Sequence, residues 1–206
     1  MSSSSDRLVW IDCEMTGLDL ELDELVEVAV VITDFDLNLV DPGFSIVIKP
    51  DDSALANMND FVTNMHETSG LLDEIPLGVS LADAEYQVLE YILAHVPGAQ
   101  TAPLAGNTIG TDRAFIAKFM PRVDNHLHYR SIDVSSIKEL ARRWFPRVYF
   151  NAPEKAGGHR ALADILESIR ELEYYRKAVF IPEPGPTSAE LKIVSADVVR
   201  EFTSRL

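Results

Sequence analysis

The sequence predicts an α/β layer fold, a mixed sheet with helices on its faces. Three observations predict it. β-branched, apolar segments at 8–12, 25–34 and 44–49 lie close together with short connections, which suits an antiparallel meander. The region 51–98 then reads as helical. Beyond it, strand and helix signals alternate to the C-terminal part of the chain. At 206 residues this is most simply one domain with a full core.

The first segment, LVWID, runs into Cys13 and Glu14, and Thr16-Gly17 then opens a loop. Asp41-Pro42-Gly43 is the turn before the third strand. In the helical region, Ala84, Val88, Tyr91 and Ile92 share one stripe. Ile75 to Gly78 breaks the region, Ser80 suits an N-cap, and Pro97-Gly98 closes it. Residues 101–106 form a fourth strand. A helix follows, with Thr111 as its cap, Asp112 in its first turn and Pro121 as its stop. Residues 127–133 form a fifth strand, and Ser135 or Ser136 caps a helix through Trp144. The stretch 146–158 reads as a loop, freed by Gly157-Gly158. A long helix covers 160–178, with Leu162, Ile165, Ile169 and Leu172 on its buried stripe. The Pro-rich stretch 182–186 is a rigid linker to a last amphipathic helix at 189–206. The Ser-rich stretch 1–6 reads as a disordered leader.

Composition narrows the function. Apolar content of 47% and charged content of 25% are those of a soluble globular protein. No apolar run nears the ~18 residues that span a bilayer. One cysteine excludes an intrachain disulfide and makes a reducing, cytoplasmic setting the default. The net charge of −15 argues against a protein that grips long duplex nucleic acid, which calls for a basic surface. A nucleic-acid substrate would have to be short, or held at one end by a few cations and metal ions.

Asp12 and Glu14 are two residues apart on a strand, so their carboxylates point to one face while Cys13 points to the other. Like charges at that spacing repel, and the usual reason for tolerating them is a bound hard divalent cation. Asp112 at a helix start, and His159 with Asp164 around another, stand at element ends as well. Five helical residues turn through roughly 500°, so His159 and Asp164 would not share a face if both were helical. The glycines place His159 on the loop and Asp164 on the helix, a division that suits a mobile base and a fixed metal ligand. His95, His126 and His128 have no acid or Cys partner at ligand spacing and read as structural or surface residues.

The stretches WIDCEMTGLD, GNTIGTDRAFIAKFMP, HYRSIDVSSIKELARRW and GGHRALADILESIRELEYYR, in that order, resemble the oligoribonuclease family of 3′-to-5′ exonucleases. The resemblance runs from about residue 8 to 176. It implies a single exonuclease domain with an RNase H-like mixed five-stranded sheet, order 3-2-1-4-5, strand two antiparallel. It implies two divalent cations, Mg²⁺ or Mn²⁺, on Asp12, Glu14, Asp112 and Asp164, with His159 as general base. The implied substrates are short RNA oligonucleotides, dinucleotides above all, including linear dinucleotides from cyclic-dinucleotide breakdown. By the same resemblance Leu18 wedges between bases and His66 lies in the region lining the nucleotide pocket. Thr108 stands where the family often has serine. Arg130, Ser135 and Lys138 close on a 5′-phosphate, and Tyr129 comes from the second subunit of a homodimer. Phe61 replaces a more usual tryptophan, and Cys13 a more usual aliphatic residue.

Other functions fit less of the chain. Asp12-x-Glu14-x-Thr16 approaches the pattern of aspartate-nucleophile phosphatases, but no downstream lysine and acidic pair completes it. A proofreading exonuclease of the same superfamily shares the five core residues, and positions 108 to 138 separate the two. A catalytically dead nucleotide-binding module would be expected to lack one of the five, and none is missing.

Overall fold

The computed structural model describes residues 6–154 and 157–205, so the Ser-rich leader lies outside the described residues except for Asp6. The strands are β1 (Leu8–Met15), β2 (Leu25–Thr33), β3 (Phe44–Val47), β4 (Pro103–Gly106) and β5 (His128–Asp133). They form one five-stranded sheet in the order β3-β2-β1-β4-β5. β2 is antiparallel to both β1 and β3, whereas β4 is parallel to β1 and β5. This is the mixed sheet that the sequence predicts.

Between β3 and β4 lie α1 (Asp52–Asn57), α2 (Asp60–Thr68), α3 (Leu71–Glu74), a 3₁₀ turn at Ile75–Leu77 and α4 (Leu81–His95). Ser80 caps α4 by accepting from the Asp83 amide at 3.2 Å. After β4 come α5 (Gly110–Phe119) and α6 (Pro121–His126). After β5 come α7 (Val134–Trp144), α8 (Pro146–Phe150), α9 (Ala161–Val179) and α10 (Ser188–Thr203).

β1 alternates strictly. Val9, Ile11, Cys13 and Met15 pack with Val28, Val30 and Ile32 against α4 and α5. Leu8 and Trp10 face the other way, with Ala29 and Val31, against α7 and α9. Trp10 is fully buried, and its indole N–H donates to Thr33 Oγ1 at 2.9 Å, so burial leaves no polar atom unpaired there. Each large side chain of this kind contributes about 1.5–3 kcal/mol through burial. Asp12 and Glu14 extend the Leu8–Trp10 row, which points the acids toward the start of α9.

Several local expectations are corrected. β1 runs to Met15 and not to residue 12, so both acids lie within the strand, paired opposite Ala29 and Glu27. Ile109, not Thr111, occupies the cap position of α5, and Thr111 sits inside its first turn. Asp133 caps α7 by accepting from the Ser135 amide at 3.1 Å, whereas Ser135 and Ser136 belong to the helix. A carboxylate there is the stronger acceptor. The stretch expected as a loop at 146–158 contains α8, started by Pro146 at its first position. α10 begins with a Thr187–Glu190 capping box, but none of its residues is buried, and its expected apolar stripe is exposed. No helix among the described residues is long and apolar enough to cross a membrane.

Candidate active site

The acids converge from three elements. Asp12 and Glu14 come from β1. Asp112 comes from the first turn of α5, where it is buried, and its Oδ1 accepts from the Cys13 amide at 3.0 Å. That bond ties α5 to the strand between the two β1 acids. Asp164 comes from the first turn of α9. His159 precedes that helix on a residue with φ of 46°, in the left-handed region, two residues after Gly157 at 66°. Glu14, His159 and Asp164 each offer a ligand atom within 4.8 Å of the others.

The cluster is electrostatically loaded. Burial, then Asp112, Glu14, Asp164 and Glu27, push Asp12 up to about 9. Burial and the charges of Asp164, Glu27 and Asp112 push Glu14 up to about 7, eased by Arg160. Burial pushes Asp112 up to about 7 despite the Cys13 N–H that favours its charged form. Carboxylates forced together in this way are a donor set for hard divalent cations, and the residues fit such ions.

A stability prediction follows. Between about pH 4 and 9 the folded metal-free protein retains carboxyl protons that the unfolded chain has released. Its stability must therefore fall as pH rises through that window. Melting temperatures in chelator should drop by about 5 °C or more across it, and Mg²⁺ should restore most of the loss at the alkaline end. A flat profile with no Mg²⁺ effect would contradict the cluster's electrostatics.

Beside Glu14 lies a cleft of about 430 Å³, lined by Met15, Leu18, Asn59, Phe61, Val62 and Met65 among others. Leu18 and Phe61 are each 75% exposed. Leu18 is presented by a turn built on Asp23. Asp23 accepts from Thr16 Oγ1 and from the Asp19 amide, each at 2.9 Å. A Cβ on Gly17 would meet the Asp23 carboxyl at 2.3–2.7 Å, so glycine is required there. His66 is fully buried behind this wall. Its Nε2 lies 2.8 Å from the Met15 carbonyl oxygen, and its Nδ1 4.0 Å from Glu14 Oε2. Burial pushes its pKa down, which favours the neutral ring. It therefore backs Glu14 and is not among the cleft's lining residues.

The remaining predicted residues form two groups. Thr108, at φ 53°, donates its amide to Asp133 Oδ1 at 3.0 Å and Ser135 Oγ at 2.9 Å. Ser135 Oγ in turn donates to Asn107 Oδ1 at 3.0 Å. Lys138 Nζ lies 3.1 Å from Oε1 of the buried Glu171, whose Oε2 accepts from Asn107. Thr108, Ser135 and Lys138 thus share one network. On the edge strand β5, exposed Tyr129 carries the Arg130 guanidinium 5.3 Å from its ring centroid.

Sequence reading misses several residues of this region. Glu27 is the sole charged residue of β2 and stands directly opposite Glu14, a signal present in the sequence. Glu74, Arg160, Asn107 and Glu171 enter through tertiary contacts that no local spacing announces. His95 also differs from expectation, since its Nε2 pairs with Asp41 Oδ2 at 3.0 Å. Tyr91, one turn before it on α4, donates to the same carboxylate at 2.5 Å.

A family model described as Exonuclease matches residues 9–172. An oligoribonuclease of Leifsonia xyli subsp. xyli is 75% identical over 206 residues, covering all of both chains. The chain belongs to the oligoribonuclease family. It is a hydrolytic nuclease, a 3′-to-5′ exonuclease. The oligoribonuclease of Rhodococcus jostii is 63% identical over 190 residues, 92% of this chain and 96% of that protein. Among solved structures, the zinc-bound Escherichia coli exonuclease I–single-stranded DNA complex superposes with a TM-score of 0.68 at 14% identity. Exonuclease I of Methylocaldum szegediense gives 0.62 at 18%. The match covers 84% of this chain but 41% of each exonuclease I, and it concerns the fold.

Proposed function

We propose that this oligoribonuclease-family protein is a metal-dependent 3′-to-5′ exoribonuclease of very short RNA, dinucleotides above all, releasing 5′-mononucleotides. The observation that carries the reading is the meeting of Glu14, Asp164 and His159, with Asp12 and Asp112 in the same electrostatic cluster, beside one small apolar cleft. The four carboxylates would hold two divalent cations, Mg²⁺ or Mn²⁺. Such ions, when bound, stabilise charge on a phosphodiester and lower the pKa of water.

The chain's own residues do the rest. His159, exposed and set off the helix, accepts a proton from the attacking water at an imidazole nitrogen. His66 fixes the Met15 carbonyl at the end of β1, behind the cleft. Leu18 and Phe61 give apolar surfaces for base faces, with Leu18 as the wedge between two bases. Ser135, Lys138 and Arg130 receive the 5′-phosphate, and Thr108 brings its hydroxyl to Ser135. Tyr129, exposed on the edge strand, would serve the site of a second copy in a homodimer. A net charge of −15 disfavours long polyanions and leaves a few placed cations to hold a short one. A single buried cysteine suits a cytoplasmic setting.

The test is a time course on 5′-labelled RNA of two, three, seven and twenty nucleotides, with Mg²⁺ and with chelator. Metal-dependent loss of one nucleotide at a time from the 3′ end, fastest on the dinucleotide, is the expected result. A preference for the longest strand or for DNA would overturn the substrate assignment.

Arg130→Ala and Lys138→Ala should raise KM for a 5′-phosphorylated dinucleotide by about 10- to 100-fold, the worth of one charge-assisted hydrogen bond. They should change KM much less for the same dinucleotide without its 5′-phosphate. Equal effects on both substrates would remove these residues from the phosphate site.

A further inference from the structure

Arg160 follows His159 directly, and its guanidinium is held on two sides. Toward the sheet, Nε and Nη2 donate to Oε2 and Oε1 of Glu27 at 3.2 and 3.1 Å. Toward the helical region, Nη1 and Nη2 donate to Oε1 and Oε2 of Glu74, both at 2.9 Å. Glu27 Oε2 also accepts the Ala161 amide at 3.2 Å, so one carboxylate binds both the side chain and the first turn of α9.

Both anchors stand on packed elements. Glu27 is 1% exposed in the second strand of the sheet. Glu74 ends α3, which is fastened by fully buried Leu71 and Ile75 against Val26. A bidentate fork engaged twice fixes both the position and the orientation of the Arg160 backbone. The chain before it is open. A Cβ at Gly157 or Gly158 would meet nothing within 4 Å, and His159 itself is exposed at φ 46°. His159 nevertheless holds a ring nitrogen within 4.8 Å of carboxylate oxygens of Glu14 and Asp164.

We infer that the Glu27–Arg160–Glu74 clamp is the device that positions His159 over the acidic cluster. Arg160 and Glu74 are positioning residues, acting through the histidine without touching substrate. Glu27 has a second task, since its own charge lies opposite Glu14 and requires a cation at that point of the sheet. The inference rests on His159 having the role proposed above.

The test uses Arg160→Lys, which keeps the charge and loses the fork, and Glu74→Gln, which breaks the exposed half. Each is made in the full-length protein with and without His159→Ala. Turnover of the dinucleotide should fall by about 10- to 100-fold in Arg160→Lys, the scale of an ångström-level misplacement, and by a smaller factor in Glu74→Gln. KM should stay within about two-fold. In the His159→Ala background neither change should cost anything further, because both act through the missing ring. A second readout needs no turnover. The His159 imidazole NMR signals of the metal-free protein should shift or broaden in both variants. Wild-type turnover and ring signals in both would overturn the inference, as would an equal loss of turnover without the histidine. If Arg160→Lys does not fold, Glu74→Gln carries the test alone. If wild type cleaves no RNA, the proposed function falls, and the ring signals still decide the clamp.

Discussion

Asp12→Asn should reduce turnover of a dinucleotide by about 10³-fold or more while leaving the metal-free protein at least as stable as wild type at pH 8. The two halves of this expectation have one cause. Asp12 is held up to about 9 by burial and by Asp112, Glu14, Asp164 and Glu27, so without cations its carboxyl is mostly protonated at that pH. Asparagine copies the protonated group in size and keeps the strand pairing opposite Ala29. It cannot become the anionic ligand, and several kcal/mol of transition-state stabilisation goes with it. The rise in melting temperature on adding Mg²⁺ should shrink in the same variant. Dinucleotide turnover and melting curves with and without Mg²⁺ measure both. Retained turnover would remove Asp12 from the centre.

His159→Ala should lower kcat by about 10²- to 10⁴-fold, the usual contribution of a positioned proton acceptor, and should leave the Mg²⁺-induced stabilisation intact. The geometry makes this a sharp comparison. His159 lies close enough to Glu14 and Asp164 to be a ligand, yet it is exposed and sits outside the helix that fixes Asp164. A base and a ligand therefore predict different melting curves. Loss of the Mg²⁺ effect in His159→Ala would reassign the residue as a ligand, and near-normal kcat would end its role as base.

Much of this site is legible in the sequence because its signals are local. Asp12 and Glu14 share a face by strand alternation, Cys13 turns into the core as the same alternation requires, and Asp112 and Asp164 fall in first turns of helices. The long β2 is legible as a sheet member from its β-branched run. What is not legible is tertiary. The end of β1 at Met15 is set by pairing with β2, not by the residues themselves. Asp133 takes the cap of α7 from its serines because the amides of Thr108 and Ser135 both point at it. Glu27, Glu74 and Glu171 pair with Arg160 and Lys138, between 33 and 133 residues away in the chain. The burial of His66 is likewise invisible from its own polar helix and follows from the Met15 carbonyl that it meets.

The measurement that bears most directly on the account is anomalous diffraction at the manganese edge from crystals grown with Mn²⁺ and a non-hydrolysable 5′-phosphorylated diribonucleotide. The account predicts two manganese peaks bounded by Asp12, Glu14, Asp112 and Asp164, a base against Leu18, and His159 turned toward the phosphate between the two nucleosides. Manganese elsewhere, or the dinucleotide away from these carboxylates, would contradict it.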